Sequence, residues 1–235
     1  MKQLLALSPL LDGLSDPDAV RVIEAGHPRG ATRDEFFFHQ GSPATTLYLL
    51  TAGRVRLLQV TPEGSQIVLR FVSVGGLFGA VAFLGEMIYP ASAQAVGDCT
   101  AVCWDGKTMQ DLIERYPRLA HNTMVQMAGR IHELQDRLRE MATERVERRI
   151  ANTLLRLARQ TGKKTAEGVL IDLPLSRQDL AEMSGTTLYT VSRVLSRWEQ
   201  DGIVEAGRER VLIRVPHRLV VIAQDLPAPN ASPNA

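Results

Sequence analysis

Cysteine is nearly absent: Cys99 and Cys103 are the only two in 235 residues. Two thiols supply neither a disulfide framework nor the four ligands of an iron–sulfur cluster within one chain. Four positions apart on an expected strand, they point to one face, and buried apolar filler is the expected role rather than redox sensing. Long apolar runs are missing as well. No stretch approaches the ~18 consecutive apolar residues of a membrane span, and the start MKQLLALSPLLDGL lacks the basic region and small-residue cleavage site of an export signal, so a cytoplasmic protein with no membrane partner is expected. Histidine is sparse too: His27 and His39 stand twelve apart with no His-x-His, and no glycine-rich phosphate loop or nucleophile–base pair occurs, which argues against an enzyme. Net charge is only +1. From Thr143 onward, however, 14 Lys and Arg face 11 Asp and Glu, while the remainder carries 13 against 15. The basic excess therefore sits in the C-terminal part, where phosphate binding would need it.

What the sequence does contain is concentrated between Leu175 and Trp198, LSRQDLAEMSGTTLYTVSRVLSRW. Ser176 is a candidate N-cap, and Asp179 three residues on is a carboxylate variant of the capping box. Leu180 and Met183 give this first helix an apolar side, and Gly185 supplies a turn. Ala181, Gly185 and Val191 have the spacing of a helix-turn-helix, which needs close packing, a tight turn and a core contact at those places. In the second helix, roughly 187–200, Val191, Val194, Leu195 and Trp198 fall on one side. Tyr189, Ser192, Arg193 and Ser196 fall on the other. Arg193 brings a guanidinium able to bond a guanine edge bidentately. Beyond it, Ile203 to Glu205 and Arg210 to Ile213 flank a turn at Gly207, which predicts a hairpin wing.

Upstream, residues to about Arg29 suggest short helices, with Ser15-Asp16-Pro17 as a helix start. From Ala31 to about Asp105 the period changes. Short apolar segments (36–38, 47–50, 55–60, 67–72, 93–96 and 100–104) alternate with glycine-bearing turns, as in a β-sandwich or jelly roll. Helical periodicity returns afterwards, interrupted by Pro117. Met124, Met127, Ile131, Leu134, Leu138 and Met141 then follow at spacings 3, 4, 3, 4, 3, a heptad seam flanked by Arg130, Glu133, Arg137 and Glu140. The seam predicts a parallel two-helix coiled coil joining a homodimer. A hinge is expected near Thr143 and Glu144, then a helix over 145–160 with Val146, Ile150, Leu154 and Leu157 inward, ended by Thr161-Gly162-Lys163-Lys164. PAPNASPNA, 227–235, reads as a solvated, disordered tail.

A β-roll, a long dimer helix and a winged helix-turn-helix in this order resemble the CRP/FNR superfamily of bacterial transcription regulators, over nearly the whole chain. The resemblance rests on Phe38-x-Gln40-Gly41, Tyr48 with Gly53-x-Val55, Gly76-x-x-x-Ala80 and Tyr89-Pro90-Ala91-Ser92-Ala93. In the C-terminal part it rests on Ser176-Arg177-Gln178-Asp179-Leu180 and Thr190-Val191-Ser192-Arg193. It implies an α+β fold: a cyclic-nucleotide-binding-like β-roll over 1–117, a dimerisation helix over 118–142 and a winged helix-turn-helix over 143–226. The implied partners are near-palindromic double-stranded DNA, RNA polymerase and a second copy of the chain.

Ser176, Arg177, Gln178, Thr187, Leu188, Tyr189, Thr190, Ser192, Arg193 and Arg197 are the DNA-binding residues it implies, with Arg193 on guanine and Arg177 and Gln178 on phosphate. The superfamily's recognition glutamate corresponds to Tyr189 here, so the half-site is expected to diverge beside the guanine. Gly76, Phe78, Gly79, Ala80, Ala91 and Ser92 would form the effector pocket. Cyclic AMP is not the expected effector, because the family's ribose-binding glutamate is Ala80 and its phosphate-binding arginine is Ala91, leaving only Ser92. The segment 89–96 looks most like the nitric-oxide-responsive, denitrification-type branch. In that branch a haem in the β-roll is thought to register nitric oxide, with His27, His39, His121 and His132 as candidate ligands here and none marked by a spacing motif. Two other readings share parts of this pattern: a constitutive, ligand-independent DNA-binding regulator and, more remotely, a cupin-like metal enzyme.

Overall fold

Glycine turns every eight to twelve residues leave only short apolar segments between 27 and 105, and these pair as antiparallel strands. The computed structural model describes residues 7–62, 64, 66–84 and 87–226; the tail expected at 227–235 lies outside the described residues. The chain divides into two compact units, Met1–Gln135 and Asp136–Ala235.

In the first unit, helix α1 (Asp16–Glu24) starts where Ser15 accepts from the Asp18 N–H, and it buries Ala19, Val22 and Ile23. Eight strands follow: β1 (His27–Ala31), β2 (Phe36–Phe38), β3 (Thr46–Ala52), β4 (Val55–Val60), β5 (Gln66–Val72), β6 (Leu77–Phe78), β7 (Ser92–Ala95) and β8 (Cys99–Asp105). They form two four-stranded sheets, ordered β1-β8-β3-β6 and β2-β7-β4-β5. A core of Phe37, Tyr48, Leu50, Val55, Val72, Phe78, Ala93 and Ala101 joins them, and each large apolar side chain buried there contributes roughly 1.5–3 kcal/mol. Cys99 belongs to this core and Cys103 packs partly buried against it, in keeping with the filler role. Gly53, at φ 80°, has no room for a Cβ beside Asp98 O and Cys99.

Strand β1 departs from the helical reading of residues up to Arg29. It is exposed along most of its length, and Pro28 and Gly30 interrupt it, so no alternation marks it. Its pairing to β8, His27↔Cys103 through Ala31↔Cys99, makes it an edge strand, where proline is tolerated. Helix α2 (Gly106–Arg115) begins at Asp105, whose side chain accepts from the Thr108 N–H. Helix α3 (Arg118–Thr143) follows Pro117 and has 26 residues, a length of about 39 Å at 1.5 Å per residue.

The second unit contains α4 (Val146–Thr161), β9 (Gly162–Thr165), β10 (Gly168–Ile171), α5 (Arg177–Ser184), α6 (Leu188–Gln200), β11 (Val204–Gly207), β12 (Arg210–Ile213) and α7 (Pro216–Gln224). Its sheet runs β11-β12-β10-β9. The β9–β10 hairpin occupies the stretch read only as the end of a helix. β9 is Gly-Lys-Lys-Thr and exposed throughout, so it has no apolar period to read; it exists because β10 offers it an edge. Ile150, Leu154, Leu157, Leu180, Val191, Leu195, Trp198, Leu212 and Leu219 are all at most 1% exposed and form the buried centre of this unit.

Candidate nucleic-acid interface and ligand cavity

Local hydrogen bonding sets both helices of the helix-turn-helix. Ser176 accepts from the Asp179 N–H at 3.0 Å while the Asp179 carboxylate accepts from the Ser176 N–H at 3.0 Å, a complete capping box. Gly185 ends α5 in the left-handed region at φ 61°. Thr187 then caps α6 by accepting from the Thr190 N–H, and the two threonine hydroxyls lie 2.9 Å apart. The turn is clamped from behind by Arg149, whose guanidinium donates to Ser184 O, Gly185 O and Glu144 O at 3.0–3.1 Å. A cation at these C-terminal carbonyls also opposes the helix dipole. Trp198, buried, donates its indole N–H to Glu147 at 3.0 Å. The recognition helix is therefore held by packing and by a polar anchor.

Its outward face is as expected from the period. Leu188 and Tyr189 are 48% and 76% exposed; Arg193, Ser196 and Arg197 are exposed, and Thr190 and Ser192 are half-buried. Ser176, Arg177, Gln178 and Leu188 share one cleft with Ala206, Gly207, Arg208 and Glu209 of the wing. Arg208 was not singled out from sequence, although an arginine beside the Gly207 turn of a predicted wing is a readable signal. Gln178 donates to Glu182 at 2.9 Å.

The heptad side chains lie along α3. Met124, Ile131, Leu134, Leu138 and Met141 are 62, 55, 59, 70 and 49% exposed, a row of apolar side chains of the kind that marks an interaction surface. Met127 is half-buried. A Cβ added at Gly185 would meet Met141 Cε at 3.4 Å, so the end of the row abuts the helix-turn-helix turn. Glu140, a flanking residue by sequence, is buried instead, 2.8 Å from Arg156 of α4. Arg156 in turn donates to Thr153 at 3.0 Å.

The first unit holds a cavity of about 290 Å³ between the strands and α3. Phe38, Leu57, Leu69, Leu77, Phe78, Val81 and Tyr89 supply apolar walls, and Arg70, Thr123, Gln126 and Arg130 the polar groups. Of the six pocket residues named from sequence, Phe78, Gly79, Ala80 and Ala91 line it. Gly76 and Ser92 are not among the lining residues. Gly76 O accepts from the Leu50 N–H, and the Ser92 hydroxyl accepts from the Gln40 N–H at 2.9 Å. None of His27, His39, His121 and His132 lines the cavity either; His39 packs on Phe36 and His132 bonds to Ala128 O. Tyr89, the ring stacked on Phe38, has its hydroxyl engaged by Thr46 N–H and O. The described lining residues thus offer no imidazole to a haem iron. Among the described residues no group of three or more His, Cys, Asp and Glu is placed to hold a metal, and no helix is long and apolar enough to cross a membrane.

Residues 28–116 match the family described as cyclic nucleotide-binding domain, and residues 148–222 the Crp-like helix-turn-helix domain. The cyclic AMP receptor protein of Thermus thermophilus is 32% identical over 216 residues, 92% of this chain and 97% of that protein. The chain belongs to the CRP/FNR family of transcription regulators. The transcriptional activator protein anr of Pseudomonas aeruginosa is 27% identical, over 87% of this chain and 83% of its own length. Among solved structures, the catabolite activator protein of Thermus thermophilus is 32% identical, with TM-score 0.55 over 94% of this chain and all of that one. FixK2 of Bradyrhizobium japonicum shares the fold, with TM-score 0.73 at 24% identity over 88% and 99%. As a member of this family the protein is a DNA-binding transcription regulator. Within the CRP/FNR frame, the positions expected to carry ribose and phosphate partners are the alanines Ala80 and Ala91 on the cavity wall.

Proposed function

We propose that the protein acts as a homodimer joined along α3, binding a near-palindromic DNA site with two copies of α6, and that a small molecule in the β-roll cavity sets its DNA affinity. The single observation that carries this reading is that Met127 and Leu134 belong both to the heptad seam and to the cavity wall. A ligand touching these two side chains bears directly on the residues that pack two copies together. Such a ligand changes DNA affinity only by its difference in affinity for the two arrangements. Two recognition helices related by a dimer axis read half-sites about one helical turn, ~34 Å, apart. Arg193 supplies the guanine contact, Arg177, Gln178 and Arg208 the phosphate contacts, and Tyr189 and Leu188 the departure from the family's usual half-site. RNA polymerase is the partner through which such binding acts on transcription, an inference from the family.

The Thermus relative is named for cyclic AMP. We infer a different effector here, because alanines at 80 and 91 give a ribose no acceptor and a cyclic phosphate no guanidinium at those places; a charge-assisted partner of this kind is worth roughly 1.5–3 kcal/mol. Nitric-oxide sensing through haem would find no imidazole among the described residues of the cavity wall.

The test is sedimentation together with DNA binding at one stated salt concentration, on a site selected from a random library. Ile131→Glu with Leu138→Glu is expected to convert the dimer to monomer and to weaken palindrome binding by 100-fold or more. A double variant that remained dimeric would remove α3 as the interface. Selection of the superfamily's usual half-site would remove the role given to Tyr189.

A further inference from the structure

Most polar side chains of the β-roll cavity lie on the part of its wall made by α3. Thr123, Gln126, Met127, Arg130 and Leu134 project from one face of α3, the 3- and 4-residue spacing of a helix stripe. The Thr123 hydroxyl is spent on Leu119 O at 2.8 Å. Gln126 Nε2 is buried and has no hydrogen-bond partner among the described residues, an arrangement that native proteins rarely leave unanswered. Arg130 is one turn further along. Burial pulls its guanidinium below its usual basicity, more than Glu133 beside it restores. Arg70, from β5, also borders the cavity and donates to Leu77 O at 3.0 Å. No aspartate or glutamate occurs among the described lining residues, and apart from Arg70 the wall outside α3 is apolar. The volume of about 290 Å³ lies at the small end of ligand sites, which span ~300–1,000 Å³.

We propose that this cavity binds a small organic acid with an aromatic or medium-chain aliphatic body, its carboxylate received by the Arg130 guanidinium and Gln126 Nε2. The inference rests on the reading of the cavity as an effector site and names the chemical class of the effector. A carboxylate answers both groups at once: it neutralises a desolvated cation and accepts from an orphaned amide donor, while the body replaces water on Phe38, Leu57, Leu69, Phe78 and Met127. A sugar or nucleotide would bring hydroxyls that these walls cannot pair, at the desolvation cost such groups carry.

Isothermal titration of the full-length protein with octanoate, phenylacetate, 1-octanol and cyclic AMP tests this, with DNA affinity measured in parallel. Octanoate or phenylacetate is expected to bind at least tenfold tighter than 1-octanol and cyclic AMP. Arg130→Met should weaken the acid by tenfold or more and leave 1-octanol within twofold, and Arg130→Lys should retain part of the acid's affinity; unchanged thermal unfolding would verify the fold of both. Equal binding of octanoate and 1-octanol, indifference of the acid to Arg130→Met, or no binding of either acid overturns the proposal. Were 1-octanol or cyclic AMP to bind preferentially and shift DNA affinity, the effector-site reading would stand and the acid class would fall. Were an acid to bind through Arg130 with DNA affinity unchanged, the ligand class would stand and the regulatory reading would fall.

Discussion

Two groups of buried polar side chains, one in each unit, differ in what they meet. In the second unit, Glu140 meets Arg156, Arg149 gathers three carbonyls and Trp198 reaches Glu147, so helices α4 and α6 and the end of α3 are held by paired groups. In the first unit, Gln126 Nε2 on α3 has no partner among the described residues and the nearby Arg130 is desolvated. Paired groups hold a structure in one arrangement, because separating them strands a charge or a donor. Unpaired donors in an apolar cavity leave free energy to be gained by whatever enters it. On the function proposed above, the contrast separates the part that would present a helix to DNA from the part that would answer to a ligand.

The largest effect that tests this contrast is at Glu140. Glu140→Ala leaves Arg156 buried without its carboxylate and is expected to destabilise by about 3–5 kcal/mol in chemical denaturation. Glu140→Leu with Arg156→Leu should be far milder than either single change, since no charge is stranded. A single variant costing under ~1 kcal/mol would mean that the pair behaves as an exposed one. Next comes DNA readout. Arg193→Ala should cost roughly 1–3 kcal/mol at one base pair and relax specificity there, whereas Arg177→Ala should weaken all sequences alike and flatten the salt slope by about one. Equal loss of specificity in both would abolish the division between base and phosphate contacts.

Gly185→Ala follows, at about 1–2 kcal/mol of stability, because a residue with a Cβ is strained in the left-handed region. At 3.4 Å from Met141 Cε the added methyl is tight but not blocked, so a much larger loss would mean that this contact cannot relax. Smallest and opposite in sign is Gln126→Leu. Removing a buried donor that nothing satisfies should leave the ligand-free protein unchanged or stabilise it by up to ~1 kcal/mol, measured as an upward shift in thermal unfolding. Destabilisation would place that amide in a network after all and erase the contrast drawn here.

The DNA module was readable because its signals are local. A capping box spans three residues, the turn glycine sits four after Ala181, and the recognition face repeats at helical period, so Ser176, Gly185, Thr187 and Arg193 are recognisable without knowledge of anything distant. The β-roll was readable as a class of fold but not in detail. Its edge strand β1 and the β9–β10 hairpin of the other unit carry no apolar alternation, being exposed and rich in proline, glycine or lysine; they are strands only because a neighbouring edge hydrogen-bonds to them. Glu140 reads as one more charged flank of a heptad seam until α4 brings Arg156 against it.

The cavity shows the same division most plainly. Ala80 and Ala91, read from the motifs around them, carry the expectation of lost nucleotide contacts. Ser92, retained in sequence, is turned to the Gln40 N–H, and the polar wall comes instead from Gln126 and Arg130, more than thirty residues further along the chain. The sequence by itself determined the order of elements, the outward face of α6 and the apolar row along α3, because each is a matter of residue type at short spacing. Which donors are buried, which are satisfied and which wall they share was decided only by the tertiary structure, because desolvation depends on every atom packed around a group, and those atoms come from strands and a helix far apart in the chain.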